Sequence, residues 1–156
     1  MELEIRPGTK SDMPSVMGLI KALALYEKAP EEVETTVDRL VEDGFGENPA
    51  FETLVAVYEN DVIGFALYYT GYSTWKGKTL YLEDFLISEA YRGRGFGKVL
   101  FEAIIQTAKE RDMQRMDWQV LDWNEPAIKF YERYNAELDG EWINGRFYKK
   151  DLLKFV

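Results

Sequence analysis

The chain contains no cysteine and no histidine. The first absence excludes disulfides and any thiolate nucleophile. The second removes the commonest general base, the base of a serine triad and the usual zinc ligand. No metal is expected, and any catalysis must run on carboxylates, phenols, amines, hydroxyls or main-chain groups. Basic residues are also scarce: 19 Lys and Arg stand against 28 Asp and Glu, for a net charge of -9. That balance argues against general nucleic-acid binding, whose phosphates need a basic face, and suits a cationic small substrate. No run of about 18 apolar residues offers a membrane span. The start Met-Glu-Leu-Glu-Ile-Arg lacks the basic-then-apolar layout of a secretion signal. A cytoplasmic protein without nucleic-acid or membrane partners is expected. No linker-like stretch interrupts the sequence, and 156 residues with 46% hydrophobic content suit one domain spanning 1–156.

Periodicity supplies the elements. Met13, Val16, Met17, Ile20, Leu23 and Ala24 recur at helical spacing, predicting a helix that ends near Tyr26-Glu27. A shorter helix is predicted from about Thr36 through Val41, stopped by Gly44. Strands are predicted at Leu54–Tyr58, Val62–Tyr72 and Leu80–Ile87, followed by a helix from Phe96 to Ala108 and a strand from Met116 to Leu121. Pro126 opens a last helix, and Asn144-Gly145 between Trp142-Ile143 and Phe147-Tyr148 predicts a two-residue hairpin. This order gives an α+β or mixed α/β fold, a sheet with helices on its faces.

Between strand and helix lies Arg92-Gly93-Arg94-Gly95-Phe96-Gly97-Lys98, where an acidic chain concentrates three cations in a glycine-rich turn. Glycines let main-chain N–H groups approach an anion, and a helix start adds unpaired donors and partial positive charge. The pattern suits a pyrophosphate. It is not a Walker loop, because Gly97-Lys98 is followed by Val99. A dinucleotide fingerprint fits no better, since the spacing is Gly-x-Gly-x-Gly and the motif lies deep in the chain.

Arg92-x-x-Gly95-x-Gly97 resembles the acetyl-coenzyme A loop of the GNAT N-acetyltransferases, and the order of elements is similar to theirs. More narrowly, the chain resembles the spermidine/spermine acetyltransferase group and its thialysine-acetylating members. That likeness is carried by Ile5-Arg6-Pro7, Asp43-Gly44-Phe45-Gly46, Tyr81-Leu82-Glu83-Asp84-Phe85, the loop, Trp123-Asn124-Glu125-Pro126 and Phe130-Tyr131. It implies a mostly antiparallel twisted sheet with helices on both faces, acetyl-coenzyme A as cosubstrate, a small amine as acceptor and a homodimer. It also implies that Phe85, Leu86 and Ile87 pair with the cofactor arm through their main chain. Arg92 through Lys98 would hold the pyrophosphate, and Asn124, Pro126 and Ala127 would lie near the arm; Asn124 suits an N-cap equally well.

Glu83-Asp84 sits between apolar neighbours, so strand alternation places at least one carboxylate on a face built for burial. An alkylammonium with a pKa of about 10 must lose a proton before its nitrogen can attack a thioester. The resemblance gives that base as Glu83, with Asp84 holding the cation, and gives Tyr131 as the acid that protonates the departing thiolate. On periodicity alone Tyr131 reads as a core aromatic. Without cysteine no thiol-linked acetyl-enzyme can form, so direct attack in a ternary complex is expected.

By the same resemblance Tyr26, Glu27, Ser73, Thr74, Trp75, Asp117, Trp118 and Gln119 line the amine pocket, although Trp118 suits plain packing. Polyamine acetylases of the group carry an acidic residue where this chain has Ser73, which points toward an amino-acid acceptor such as thialysine. The alternatives are another small amine or a protein amine as acceptor, or a non-catalytic module that only binds acyl-coenzyme A.

Overall fold

The computed structural model describes residues 2–156. It falls into two units, the first running to Gln119 and the second from Val120 to Val156.

The first unit is built on five strands in sequence order: β1 (Glu4–Pro7), β2 (Glu52–Tyr58), β3 (Asp61–Ser73), β4 (Gly77–Ile87) and β5 (Arg115–Trp118). The first four are antiparallel neighbours and β5 lies parallel to β4. The mostly antiparallel sheet is therefore borne out. β1 escapes a periodicity reading because it has only four residues, one of them Pro7. Its place at the sheet edge is where proline is tolerated.

Three helices cover the sheet: α1 (Met13–Tyr26), α2 (Val37–Phe45) and α3 (Phe96–Glu110). Val55, Phe65, Leu67 and Leu86 pack with Met13, Val16, Met17 and Leu19 of α1 and Leu40 of α2. The alternate side chains face α3, where Phe85 meets Phe101 with ring centroids 5.4 Å apart. Helices on both faces, as expected, leave the sheet buried on both sides. Phe65 and Phe101 are almost fully enclosed, so truncating either to alanine would cost about 3–5 kcal/mol.

α1 ends because Lys28 adopts φ 63 and the Ala29 N–H returns to Ala24 O at 2.9 Å, a left-handed stop of the usual kind. Thr36 caps α2 by accepting from Arg39 N at 3.2 Å. Contrary to expectation, α2 runs through Gly44 and stops at Phe45. Gly44 serves close approach instead: a Cβ there would lie 2.4 Å from the Phe51 ring.

The second unit contains α4 (Glu125–Glu132) and the single turn α5 (Lys149–Leu152). The hairpin expected about Asn144-Gly145 does not form. Residues 137–148 hold no strand, and neither Asn144 nor Gly145 takes the positive φ a tight primed turn requires. Its would-be flanks are largely exposed, Ile143 at 96%, and an isolated two-stranded ribbon with nothing to bury is marginal. Among the described residues no helix is long and apolar enough to cross a membrane.

Candidate active site

The strand β4 is interrupted at Glu83. Leu82 lies opposite Tyr68 and Asp84 opposite Leu67, so Glu83 is the extra residue of a β-bulge. In an unbroken strand Glu83 and Asp84 would face opposite sides of the sheet. The bulge brings both to the α1 side, Asp84 in line with Leu86 and Glu83 in line with Tyr81. The Tyr69 hydroxyl donates to Glu83 Oε2 at 3.1 Å, and the Tyr69 and Tyr81 rings stack at 5.3 Å.

Glu83 is exposed and Asp84 part-buried. Burial, then the charges of Glu83 and of Glu27 at the end of α1, push Asp84 up to about 7. Burial also raises Glu27. Burial and both neighbouring charges disfavour the charged form of Asp84, so three carboxylates form a site that gains from a cation.

The ladder between β4 and β5 runs from Thr79–Arg115 to Leu82–Trp118 and stops there. Beyond Leu82 the other edge of β4 stays paired with β3 as far as Ile87. Phe85, Leu86 and Ile87 follow the end of the β5 ladder on the same strand. The strand then leads through a short turn at Glu89–Tyr91 into the glycine loop.

Gly93 and Gly95 adopt φ 78 and 81 with nothing within 4 Å of a notional Cβ. Glycine is required there by backbone conformation and leaves open space beside the main chain. Gly95 caps α3 without a side-chain bond, and the first intrahelical bond is Val99 N to Gly95 O at 3.3 Å. The N–H groups of Phe96, Gly97 and Lys98 therefore point out of the helix start. Arg92 is braced rather than loose: its Nε donates to Ile87 O at 3.0 Å and its guanidinium sits 5.5 Å from the Tyr26 ring centre. Arg94 lies over Tyr91, and Lys98 pairs weakly with Glu102 at 4.0 Å. Open backbone, exposed N–H groups and three cations fit a pyrophosphate.

Ser73 ends β3, and its hydroxyl accepts from Trp75 N at 3.2 Å and Lys76 N at 3.0 Å. Thr74 and Trp75 form the exposed turn, Trp75 at 81%. Asp117 lies opposite Tyr81, on the face that carries Glu83. Trp118 points the other way, edge-on to Phe101 at 5.6 Å on the α3 side, and Gln119 follows it, exposed. Arg115, which the sequence reading passed over, joins this group: its Nε bonds Asp117 at 2.9 Å and its Nη1 reaches Ser73 Oγ at 3.5 Å. The available signal was its position two residues before Asp117 on an alternating strand.

In the second unit Asn124 caps α4, its Oδ1 accepting from Ala127 N at 3.4 Å, with Pro126 in the first turn. Tyr131 is buried in that helix, edge-on to Phe130 at 5.5 Å.

Residues 19–136 match the profile of the Acetyltransferase (GNAT) family. The chain belongs to the GNAT acetyltransferase family. It is an N-acetyltransferase, an enzyme of a family that uses acetyl-coenzyme A as cosubstrate. It is 37% identical over 155 residues to the mouse thialysine N-epsilon-acetyltransferase, covering 92% of this chain and 91% of that protein. It is 36% identical over 160 residues to the human spermidine/spermine N(1)-acetyltransferase-like protein 1, covering 96% of this chain but only 23% of that longer protein. In structure it superimposes on an integron cassette protein from the mobile metagenome of V. cholerae with a TM-score of 0.80 at 27% identity, covering 99% of this chain and 97% of that one. The expected family, GNAT fold and acetyl transfer to an amine are thereby borne out.

Proposed function

We propose that residues 1–156 work as one cytoplasmic acetyltransferase domain that moves the acetyl group of acetyl-coenzyme A to the distal primary amine of a small cationic acceptor, a lysine-like amino acid such as thialysine or a short polyamine. The observation that carries this reading is where β4 changes partner. The β5 ladder ends at Leu82, and the next residue is the bulged Glu83. The strand edge suited to the cofactor arm and the carboxylates suited to the amine therefore begin at one point of one strand.

Acetyl-coenzyme A supplies an activated thioester when bound. Main-chain groups of Phe85, Leu86 and Ile87 orient its arm, and the glycine loop with Arg92, Arg94 and Lys98 binds its pyrophosphate. Glu27 and Asp84 draw in the ammonium. Glu83, held by Tyr69, takes its proton directly or through water. Tyr131 donates a proton to the departing sulfur. The relatives' names support the acceptor class, and the absence of cysteine supports direct attack in a ternary complex.

The experiment is a coenzyme A thiol-release assay over lysine analogues, diamines and polyamines. Turnover with one of these classes and loss of it in Glu83→Gln are expected. Equal thiol release with and without any amine would overturn the reading. We also propose a homodimer: Trp142, Ile143, Phe147, Leu153 and Phe155 are each more than 70% exposed, an apolar surface suited to a second copy. Sedimentation velocity should give twice the chain mass, and less for Trp142→Ser with Phe155→Ser.

A further inference from the structure

We propose that Arg115 is the specificity-determining residue for the acceptor: its guanidinium receives the carboxylate of an amino acid whose distal ammonium lies among Glu27, Glu83 and Asp84. The inference rests on the acetyl-transfer reading and adds the substrate's second end. It starts from register. Arg115 lies opposite Thr79 and Asp117 opposite Tyr81, while Tyr81 lies opposite Tyr69. Alternation puts Arg115, Asp117, Tyr81 and Tyr69 on one face, which the bulge extends to Glu83 and Asp84. From Thr79 to Glu83 is four residues of β4, a rise of about 13 Å. An extended lysine with a bonded group at each end spans about that length.

The donors of Arg115 are only partly used. Asp117 takes Nε, and Ser73 Oγ stands at the outer limit of a bond to Nη1, 3.5 Å away. The Nη1/Nη2 edge, which binds carboxylates in paired fashion, keeps most of its capacity. Ser73 itself is poorly suited to the role: its oxygen is already committed to the Trp75 and Lys76 N–H groups. Its contribution is to be uncharged, so that nothing from β3 neutralises Arg115. The Arg115 side chain is 44% exposed, open to a ligand.

The face is thus two-signed. One end holds three carboxylates, and the other holds a guanidinium already shared with one carboxylate. A ligand cationic at both ends meets at the second only a carboxylate already paired with Arg115, while a zwitterion with a distal amine is matched at both.

The test compares L-lysine and thialysine with 1,5-diaminopentane, which has lysine's length and lacks its carboxylate, in wild type, Arg115→Gln and Arg115→Lys. In Arg115→Gln the KM for both amino acids should rise about tenfold or more at nearly unchanged kcat, with 1,5-diaminopentane unchanged or improved. Arg115→Lys should recover part of the loss. Equal changes for amino acid and diamine, or none for either, would overturn the assignment. So would a wild type that prefers 1,5-diaminopentane to lysine, and that result leaves acetyl transfer standing. If no amine releases thiol, the transfer reading falls by itself. Calorimetric titration of lysine into wild type and Arg115→Gln with coenzyme A present then decides, and equal affinities overturn the role of Arg115.

Discussion

The Tyr69 hydroxyl lies 3.1 Å from Glu83 Oε2, so a residue of one strand fixes the bulged carboxylate of the next. Burial first, then the nearby Glu83 charge, pushes the Tyr69 phenol up to about 12, which keeps it a donor across the working pH range. Tyr69→Phe removes that bond and leaves the ring stack on Tyr81. A net hydrogen bond is worth about 1 kcal/mol, so kcat should fall about fivefold and the melting temperature by no more than about 2–4 °C. Steady-state kinetics beside a melting curve check this.

Asp84 gives a pH dependence with a definite sign. Its folded pKa of about 7 stands above the ordinary 3.8, so between these values the folded protein holds a proton that the unfolded chain has lost. Its share of stability is full below the unfolded value and is lost as pH rises through about 7. Free wild type should therefore lose melting temperature from pH 5 to pH 8 relative to Asp84→Asn. Acceptor KM should improve over the same rise in wild type and stay flatter in the variant. Parallel pH profiles for the two proteins would contradict the buried-acid assignment.

Tyr131 is buried, and its expected role is chemical as well as structural. Proton donation to a leaving thiolate belongs to a class of assistance worth about 10²–10⁴-fold. Tyr131→Phe should lose turnover on that scale while cofactor affinity, measured by calorimetry, holds. Unchanged single-turnover rates would return the residue to packing alone.

At Gly95 the backbone makes the prediction. With φ at 81 and open space around it, Gly95→Ala meets no neighbour but must adopt a left-handed conformation costing about 1–2 kcal/mol. A drop of a few degrees in melting temperature is expected, with coenzyme A still bound. Gly95→Glu adds a negative charge beside the anion cradle, and coenzyme A affinity should collapse. Equal coenzyme A affinity in the two variants would separate the loop from the pyrophosphate.

Ser73→Asp tests the hairpin end. The new carboxylate can still accept from the Trp75 and Lys76 N–H groups, because aspartate forms the same kind of turn. It would also occupy the free edge of Arg115. Preference, measured as the ratio of kcat/KM for thialysine to that for spermidine, should fall about tenfold. A constant ratio would mean that this turn does not sort acceptors.

Much of this was legible in the chain because periodic burial and glycine chemistry are local. α1 announces itself through Met13, Val16, Met17 and Ile20, and the loop through three glycines set among cations. Less legible was whatever depends on a neighbouring strand. Glu83 and Asp84 look like any adjacent pair until pairing with Tyr68 and Leu67 leaves one residue over. Arg115 gains its second contact only when the sheet brings β5 near Ser73 at the end of β3. The Asn144-Gly145 signal failed for the opposite reason: turn chemistry was present between flanks that stay largely exposed.

The extra residue in β4 also sets a rule for changing this protein. Leu82 and Phe85 face one side although three positions apart, and Tyr81, Glu83, Asp84 and Leu86 share the other. Deleting Glu83 would restore a regular strand and leave every later side chain on its present face, Phe85 toward α3 and Leu86 toward α1. Strand grafts and chimeras that shorten β4 by that one residue should therefore keep the core and lose the carboxylate that Tyr69 holds. The extra residue serves the site and not the fold.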